Sequence, residues 1–319
     1  MASAVLLRRD QRVPRRHRLS RQERRRLREG YLFISPVLLG LVIWVFGPMF
    51  LSLYYSFTSY NVLQAPKFIG LANYRELFND PEFVHSFKIT LIYAATSVPG
   101  SLVIGLLIAL LLNKPGRTMR FYRTIFYIPS VIPVVAGTEL WGTMLSGSKY
   151  GVVNYILMSA GLIKSPMLFF SSPNTAFWSL LILVFWGSAG ASMIIWLAAL
   201  QSVPKDLIEA SQVDGAGVLR RFASVIVPLI TPTIFFNLVL GMIGALQTFA
   251  TNFVLGGDSG SPLGSLDFVN IFIYRQAFGN FEMGYASAAA WVMFAVILVL
   301  TLLVFRTSRR WVFYVGGGR

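Results

Sequence analysis

Side chains that commonly carry out chemistry are scarce in this sequence. The chain of 319 residues contains no cysteine, which excludes a disulfide, a thiolate metal ligand and a cysteine nucleophile. Its two histidines are His17, in an arginine-rich tail, and His85, beside an acidic loop, so neither has a second histidine at metal-ligand spacing. The motifs of zinc proteases, serine hydrolases and phosphate-binding loops do not occur in the sequence. The sequence therefore predicts no catalytic site and no metal or cofactor bound by this chain.

Polar side chains inside long apolar runs are better candidates for function. An amide or hydroxyl that points at lipid costs free energy with nothing to offset it, so these groups are expected to face the interior of a helical bundle. They suit a neutral, sugar-like solute, which is held by hydrogen bonds to amides and by stacking on aromatic faces. The alternative is helix packing, because amides also bond between helices and small residues permit close crossings. The pathway candidates are Trp186, Ser188, Ser192, Asn237, Gln247 and Asn252, and the small residues are Gly187, Gly190, Gly241 and Gly244.

One acidic residue, Glu139, also lies inside an apolar run, together with Pro129 and Pro133. A carboxylate at mid-depth of a bilayer costs about 2.5 to 3.5 kcal/mol, so it needs a partner or water. A proton-coupled carrier would use such a group, but the run ends only a few residues later, which favours a structural or interfacial role. The prolines make this run the least expected to be straight.

The composition indicates that the elements positioning these residues lie in a membrane. Hydrophobic residues make up 55% of the chain and charged residues 13%, about half the charged share of an average soluble domain. Apolar runs of roughly 20 to 27 residues can each cross a hydrocarbon core about 30 Å thick. We predict an all-α integral membrane protein of about six transmembrane helices. The predicted spans are Tyr31 to Phe57, Phe87 to Leu112, Phe121 to Met144, Ala176 to Leu200, Leu229 to Phe253 and Tyr285 to Phe305.

Basic residues predict how these spans are oriented. Eleven arginines precede residue 30, and most other lysines and arginines fall in the loops and the tail on the same side. By the positive-inside rule both termini are then cytoplasmic. The net charge of +15 therefore needs no nucleic acid, because the tail can bind anionic lipid headgroups. A cleaved targeting segment is the alternative, but the following apolar run is too long for a signal-peptide core.

The predicted organisation has five parts. They are a basic cytoplasmic tail at 1–29, a first transmembrane helix at 30–58, a periplasmic segment at 59–86, a five-helix core at 87–306 with a cytoplasmic loop at 202–228, and a cytoplasmic tail at 307–319.

The cytoplasmic loop contains a short predicted helix. Pro204 suits a first helical turn, and Asp206 places negative charge at the positive helix end. Asp214 and Gly215 predict its end, since glycine readily takes the left-handed conformation that closes a helix. Between them the sequence Glu209–Ala210–Ser211 offers a compact surface, on which another protein could dock. From physics alone an interfacial helix resting on lipid headgroups is equally compatible.

The string EASQVDGA in this loop resembles the EAA signature of binding-protein-dependent ABC transporter permeases. In that family the signature helix is the coupling helix, which sits in a groove of the cytoplasmic ATPase. By position, the EAA triplet matches Glu209, Ala210 and Ser211, with serine in place of the third alanine, and the DGA that follows matches Asp214, Gly215 and Ala216. The resemblance thus implies that the loop at 202–228 is a coupling loop, and that ATP and magnesium are bound by a partner subunit.

The resemblance extends from about Leu38 to Arg306. The segments FIGLANYRELF from Phe68, LAALQSVPKDLIEAS, and IYRQAFGNFEMGYASAAA from Ile273 resemble the MalF-like branch of sugar permeases, rather than its MalG-like companion. One departure is the stretch Gly256 to Asp258, where the branch often has a GGP triplet. This loop is expected to face the solute-binding protein.

The resemblance implies the helical bundle of type I, MetI-like importer permeases in a bacterial inner membrane. The chain would form half of the pathway for a sugar, an oligosaccharide or a glycerol-phosphate-like solute. Its expected partners are a second, MalG-like permease, a pair of cytoplasmic ATPase domains, an extracellular solute-binding protein and membrane lipid. The alternative function is a proton-coupled secondary transporter that uses Glu139.

Overall fold

A computed structural model describes residues 21–313, most of which are helical. The greater part of the basic tail, with His17, and the residues after Phe313 lie outside this range. The described residues form two structural units, which meet between Ser52 and Leu53 in the sequence. The helices are α1 (Arg21–Leu41), α2 (Gly47–Ser56), α3 (Ala72–Asn79), α4 (Pro81–Leu112), α5 (Arg117–Val131), α6 (Val134–Met144), α7 (Val152–Ser159), α8 (Pro173–Gln201), α9 (Lys205–Val213), α10 (Val218–Arg221), α11 (Val227–Leu246), α12 (Ala250–Gly256), α13 (Val269–Tyr274) and α14 (Met283–Trp311); π-helical turns lie at Val42–Phe46, Phe222–Ile226 and Arg275–Gly279, and two short strands at β1 (Thr58–Ser59) and β2 (Lys67–Phe68).

The first unit consists of α1, a π-helical turn and the start of α2. Near its beginning Arg25 Nε donates to Glu29 Oε1 at 2.8 Å, one turn along an exposed face. Such a pair stabilises a helix by only a few tenths of a kcal/mol. The apolar composition of the segment is what suits it to a membrane. The apolar helical segment Arg24–Ser56 is long enough to cross one.

Five helical segments of the described residues could span a membrane by length and composition. A sixth candidate is the pair α5 and α6, whose axes differ by 99° across the break at Ile132 and Pro133. The prediction of an all-α membrane protein with about six spans is therefore confirmed. The third predicted span, from Phe121 to Met144, is not straight, because Pro133 cannot donate the hydrogen bond that would continue α5. The five candidate spans are Arg24–Ser56, Pro81–Leu112, Pro173–Gln201, Val218–Gly256 and Met283–Trp311.

The centre of the second unit is formed by α4, α8 and α11. Trp196 and Met193 of α8 are fully buried against Ala109 of α4 and Ile230 of α11. At Gly190, a Cβ would overlap the backbone of Phe126, so α5 and α8 approach with their backbones in contact. Close approach at small residues is how helices pack in membranes.

The segment between α2 and α4 is an ordered hairpin with a short helix. Strands β1 and β2 pair antiparallel, with Thr58 opposite Phe68. The side-chain amide of Asn73 donates to the carbonyls of Ser56 and Thr58, at 2.9 and 3.0 Å, and so closes the end of α2. The GLANY sequence noted above thus has a structural use in this chain, because Asn73 supplies the donors that the helix end lacks.

A polar cluster, defined as Glu82, Ser86, Asp267 and Arg275, fastens the loop after α12 to the start of α4. The Arg275 guanidinium donates to both carboxylate oxygens of Asp267, at 3.0 and 2.9 Å, and Ser86 Oγ donates to Asp267 Oδ2 at 3.0 Å. Partial burial acts to lower the pKa of Arg275, but the hydrogen bonds and charges of Asp267 and Glu82 outweigh it and raise the pKa above its ordinary value. The guanidinium therefore stays charged over the whole accessible pH range.

Candidate functional site

The predicted short helix of the loop at 202–228 is present as α9. It begins directly after Pro204 and ends in a closure made by Gly215, which has φ +73°. The Gly215 N–H donates to the carbonyl of Gln212 at 3.0 Å, and the Ala216 N–H donates to the carbonyl of Ser211 at 2.9 Å. This pair of bonds is the Schellman motif, so the Asp-Gly-Ala sequence fixes where the helix stops.

One face of α9 packs on the bundle and the other is exposed. Ile208 packs against the cluster around Trp196, and Ser211 is buried, its hydroxyl donating to the Ile208 carbonyl at 2.7 Å. Glu209 and Ala210 are exposed. The compact surface expected of the EAA triplet therefore holds only its first two residues, because Ser211 points at the bundle.

Several large apolar side chains on and near this helix are exposed, and the two most exposed were not predicted from the sequence. Val213, at the end of α9, is 88% exposed, and Leu219, in α10, is 83% exposed. An exposed large apolar side chain outside the spans is typical of a surface that a partner or lipid headgroups cover. The sequence signal that could have identified them is the presence of two aliphatic residues in a short, charged loop. We call Glu209, Ala210, Val213 and Leu219 the exposed loop surface.

The exposed loop surface is linked firmly to two spans. Val203, between α8 and α9, is buried in the same cluster as Trp196 and Ile230. On the other side, α10 continues through the π-helical turn Phe222–Ile226 into α11. α9 is thus connected to α8 by packing and to α11 through α10.

A groove of about 450 Å³ lies between α4, α8 and α11. Three of the six pathway candidates line it, namely Ser188, Ser192 and Asn237. The Asn237 side-chain N–H donates to the Thr233 carbonyl at 3.0 Å, which leaves its oxygen and its second N–H available. Ser188 Oγ donates to Ser101 Oγ at 3.2 Å. The groove thus combines an apolar wall with a few hydrogen-bonding groups, as small-molecule sites do.

The other three candidates are placed differently. Trp186 lines an adjoining cavity of about 240 Å³, which shares Ser188 with the groove. Gln247 is exposed at the end of α11. Asn252, in α12, is fully buried, and neither atom of its amide has a hydrogen-bond partner among the described residues.

Several groove residues lie on α4 and were not among the predicted pathway residues. Tyr93, Ser97 and Ser101 of α4 recur at intervals of four residues, which places them on one face. Thr248, just after α11, lines the groove as well. The four-residue spacing of polar groups in α4 was the signal that could have identified them.

The loop after α12 bends repeatedly at glycine. Gly257, Gly260 and Gly264 all have positive φ, a conformation that favours glycine. Arg275 of the polar cluster donates to the Asp258 carbonyl at 2.7 Å, and Leu263 at the loop's turn is 88% exposed. The Gly-Gly-Asp departure thus forms an ordered loop held by the polar cluster.

The chain is similar to known proteins. Residues 101–313 match the family model described as binding-protein-dependent transport system inner membrane component. The chain is 40% identical over 287 residues to the "Probable ABC transporter permease protein YesP" of Bacillus subtilis, covering 89% of this chain and 92% of the relative. It is 34% identical to the "Probable starch degradation products transport system permease protein AmyD" of Thermoanaerobacterium thermosulfurigenes, covering 88% and 94%.

A solved structure is also similar over almost its whole length. A chain of the bacterial alginate ABC transporter, in complex with an alginate pentasaccharide-bound periplasmic protein, matches with a TM-score of 0.80 and 27% identity, covering 91% of this chain and 96% of that one.

Proposed function

The chain belongs to the family of inner membrane components of binding-protein-dependent transport systems and is an ABC transporter permease subunit, and from this we propose that it forms half of the solute pathway of an ATP-driven importer. The observation that carries the proposal is the exposed loop surface on α9 and α10. It presents Val213 and Leu219 to solvent beside Glu209, whereas Val203 and Ile208 of the same loop pack into the cluster around Trp196. We infer that a separate ATPase covers this surface.

The solute is proposed to be a carbohydrate. The relatives that support this are named for starch degradation products and for alginate. The chemistry of the groove agrees, because Ser188, Ser192 and Asn237 offer hydrogen bonds to hydroxyl groups. We propose that Trp186, Gln247 and Asn252 also line the pathway, either in the conformation described here or in the one that opens to the other side of the membrane.

The proposed mechanism is alternating access. Closure of the ATPase pair on ATP would pull α9, whose triplet Glu209–Ser211 and closure Asp214–Ala216 together form the coupling helix. Because α9 lies between α8 and α11, the pull would move two walls of the groove and turn it toward the solute-binding protein. ATP and magnesium belong to the partner in this scheme.

We further propose that both termini are cytoplasmic, in a bacterial inner membrane. The basic tail would then contact anionic headgroups, and the five-part division of the chain would apply. With this orientation the loop after α12 lies on the outer side, where Leu263 would contact the solute-binding protein. A second, MalG-like permease would complete the pathway.

Purification with partners tests the proposal. The tagged chain is extracted from its native membrane in mild detergent, and the proteins that accompany it are identified by mass spectrometry. Recovery of a cytoplasmic ATPase and a second permease of about six spans is expected. Recovery of the chain alone, or as a homo-oligomer in several detergents, would contradict the proposal.

A further inference from the structure

A cavity of about 400 Å³ between α5 and α8, which we call the α5–α8 cavity, has no part in the proposed function. It shares no lining residue with the groove that holds Ser188 and Ser192, so the two lie on different faces of α8. Its α5 wall carries polar groups and its α8 wall is mostly apolar. The lining residues used below are Arg123 and Tyr127 of α5, and Ile194, Leu197, Ala198 and Gln201 of α8.

Arg123 is the charged group of the α5–α8 cavity. Its Nε and Nη2 donate to the Leu112 carbonyl at 3.2 and 2.7 Å, and Nη2 also donates to the Lys114 carbonyl at 3.2 Å. These bonds hold the guanidinium in place and leave the two hydrogens of Nη1 available. Within residues 21–313 no carboxylate forms an ion pair with Arg123. The guanidinium is thus fixed in position with a free donor edge.

The surroundings of Arg123 are strongly basic. The stretch 113–128 contains Lys114, Arg117, Arg120 and Arg123 and has no aspartate or glutamate. Such an excess of positive charge attracts anions, and acidic lipid headgroups in particular where the charge lies beside a membrane span. The chain itself therefore leaves this charge to be balanced by another molecule.

Two neutral groups of the α5–α8 cavity can also form hydrogen bonds. The Tyr127 hydroxyl and the Gln201 side-chain amide line the cavity, and neither makes a hydrogen bond among the described residues. Together with Arg123 Nη1 they offer donors from both walls. A phosphate group, with several acceptor oxygens, suits such a set of donors.

The apolar wall of the cavity follows the last turns of a membrane span. Ile194, Leu197, Ala198 and Gln201 are spaced three or four residues apart, which places them on one face of α8. With 29 residues, α8 is about 44 Å long, close to the thickness of a bilayer with its headgroup layers. Gln201 is its last residue and belongs at the headgroups, whereas Ile194 lies two turns closer to the acyl chains.

We propose that the α5–α8 cavity binds one phospholipid with an anionic headgroup. Its phosphate accepts hydrogen bonds from Arg123 Nη1 and Gln201, and one acyl chain lies along Ile194 and Leu197. A free phosphate ion would engage only the polar wall and would leave Ile194, which is 45% exposed, uncovered. The site needs neither an ATPase nor a second permease, so it goes beyond the proposed function.

Lipid binding is measured on the chain purified in mild detergent together with the subunits that accompany it. After removal of lipid, phosphatidylglycerol is added, and bound lipid is counted by native mass spectrometry while the thermal midpoint is recorded. We expect a tightly bound phosphatidylglycerol and a raised midpoint. Phosphatidylcholine with the same acyl chains should bind about tenfold more weakly, because its choline cation would lie among basic residues. Inorganic phosphate should not displace the lipid.

Two variants assign the bound lipid to the cavity. Arg123→Gln should weaken phosphatidylglycerol binding by about tenfold, because it removes a hydrogen bond to a charged group. Arg117→Gln is the matched control, since it removes the same charge from the same helix but lies outside the cavity. Because Arg123 also binds the Leu112 carbonyl, Ala198→Phe provides a second variant. It keeps that bond, fills the cavity, and should likewise abolish tight binding.

Three results would overturn the inference. Equal binding of phosphatidylglycerol and phosphatidylcholine would mean that the headgroup is not recognised. Equal stabilisation by inorganic phosphate would assign an anion site without a lipid. Equal losses in Arg123→Gln and Arg117→Gln, or full binding in Ala198→Phe, would mean that total charge attracts the lipid and the cavity does not. None of these results bears on recovery of an ATPase, which tests the proposed function separately.

Discussion

At the scale of single residues, Gly215 has the conformation that ends the proposed coupling helix. Its φ of +73° costs other residues free energy, and β-branched residues most of all. A Cβ at this position would meet nothing within 4 Å, so a larger side chain would act through the backbone alone. The effect of a substitution can therefore be assigned to the shape of the α9 closure.

We predict that Gly215→Val uncouples transport while the chain still inserts and assembles. The strain of about 1–3 kcal/mol would open the Schellman closure and displace the exposed loop surface. Solute uptake should fall and ATP hydrolysis should lose its dependence on solute. Gly217→Val is the matched control, because Gly217 has a φ of −63° and also has free space around it; normal uptake by Gly215→Val would contradict the assignment.

A second prediction concerns the polar cluster. Asp267 is 5% exposed and receives hydrogen bonds from Arg275 and Ser86, so Asp267→Asn would leave a partly buried guanidinium with only the exposed Glu82 as its charge partner. Breaking such a pair costs about 3 kcal/mol, measured as a lower thermal stability in detergent. Glu82→Gln should change stability by less than about 1 kcal/mol, since Glu82 is largely exposed at 3.3 Å from Arg275.

The pH dependence of this cluster follows from the direction of the shift. Because the folded pKa of Arg275 is raised, the stabilisation is complete below the ordinary pKa of arginine and is lost only as the pH rises above it. Stability should therefore show no transition from Arg275 between pH 6 and about 10. A transition in that range that disappears in Asp267→Asn would contradict this account.

At the scale of elements, the contact of α5 with α8 determines where the bent pair lies. A Cβ at Gly190 would overlap the backbone of Phe126, and a backbone cannot move aside as a flexible side chain can. We predict that Gly190→Val destabilises the chain by about 1–3 kcal/mol, seen as a lower thermal midpoint. Gly187→Val is the control, because a Cβ there meets nothing within 4 Å. Equal effects of the two variants would contradict the close contact.

Elements with a strong apolar pattern were predictable and those defined by a partner helix were not. Runs of roughly 20 apolar residues specify spans by themselves, since the bilayer demands that length. Pro204 and Gly215 marked α9, because proline and glycine act through their own backbone. The direction of the Ser211 side chain, by contrast, depends on how Ile208 packs on the cluster beneath it. No local sequence pattern contains this packing.

The bend between α5 and α6 shows the same limit. Pro129 and Pro133 indicated a weakness in the third span, but Pro129 lies inside α5 and the break comes at Pro133. The bend is 99°, and α6 then packs against α8 and α12, contacts that no local pattern contains. Likewise, only three of the six pathway candidates line the groove. An apolar run shows neither how deep a residue lies in the bundle nor which side of its helix it occupies.

At the scale of the whole molecule, the chain presents two surfaces that a permease would use for other proteins. The exposed loop surface lies at one end of α8 and α11, and the loop after α12 lies beyond the other end of α11. The groove with Ser188, Ser192 and Asn237 lies between them. Both surfaces are thus connected to the groove by α11.

The most direct test of this account asks what covers the exposed loop surface. A photo-reactive amino acid is placed at Val213, which is 88% exposed, and in a matched control at Ile208, which packs on the bundle. Illumination of native membranes should attach a cytoplasmic ATPase to the chain from position 213 and not from 208. Capture of no ATPase from position 213, in membranes where the second permease still accompanies the chain, would contradict the claim that α9 couples this permease to ATP hydrolysis.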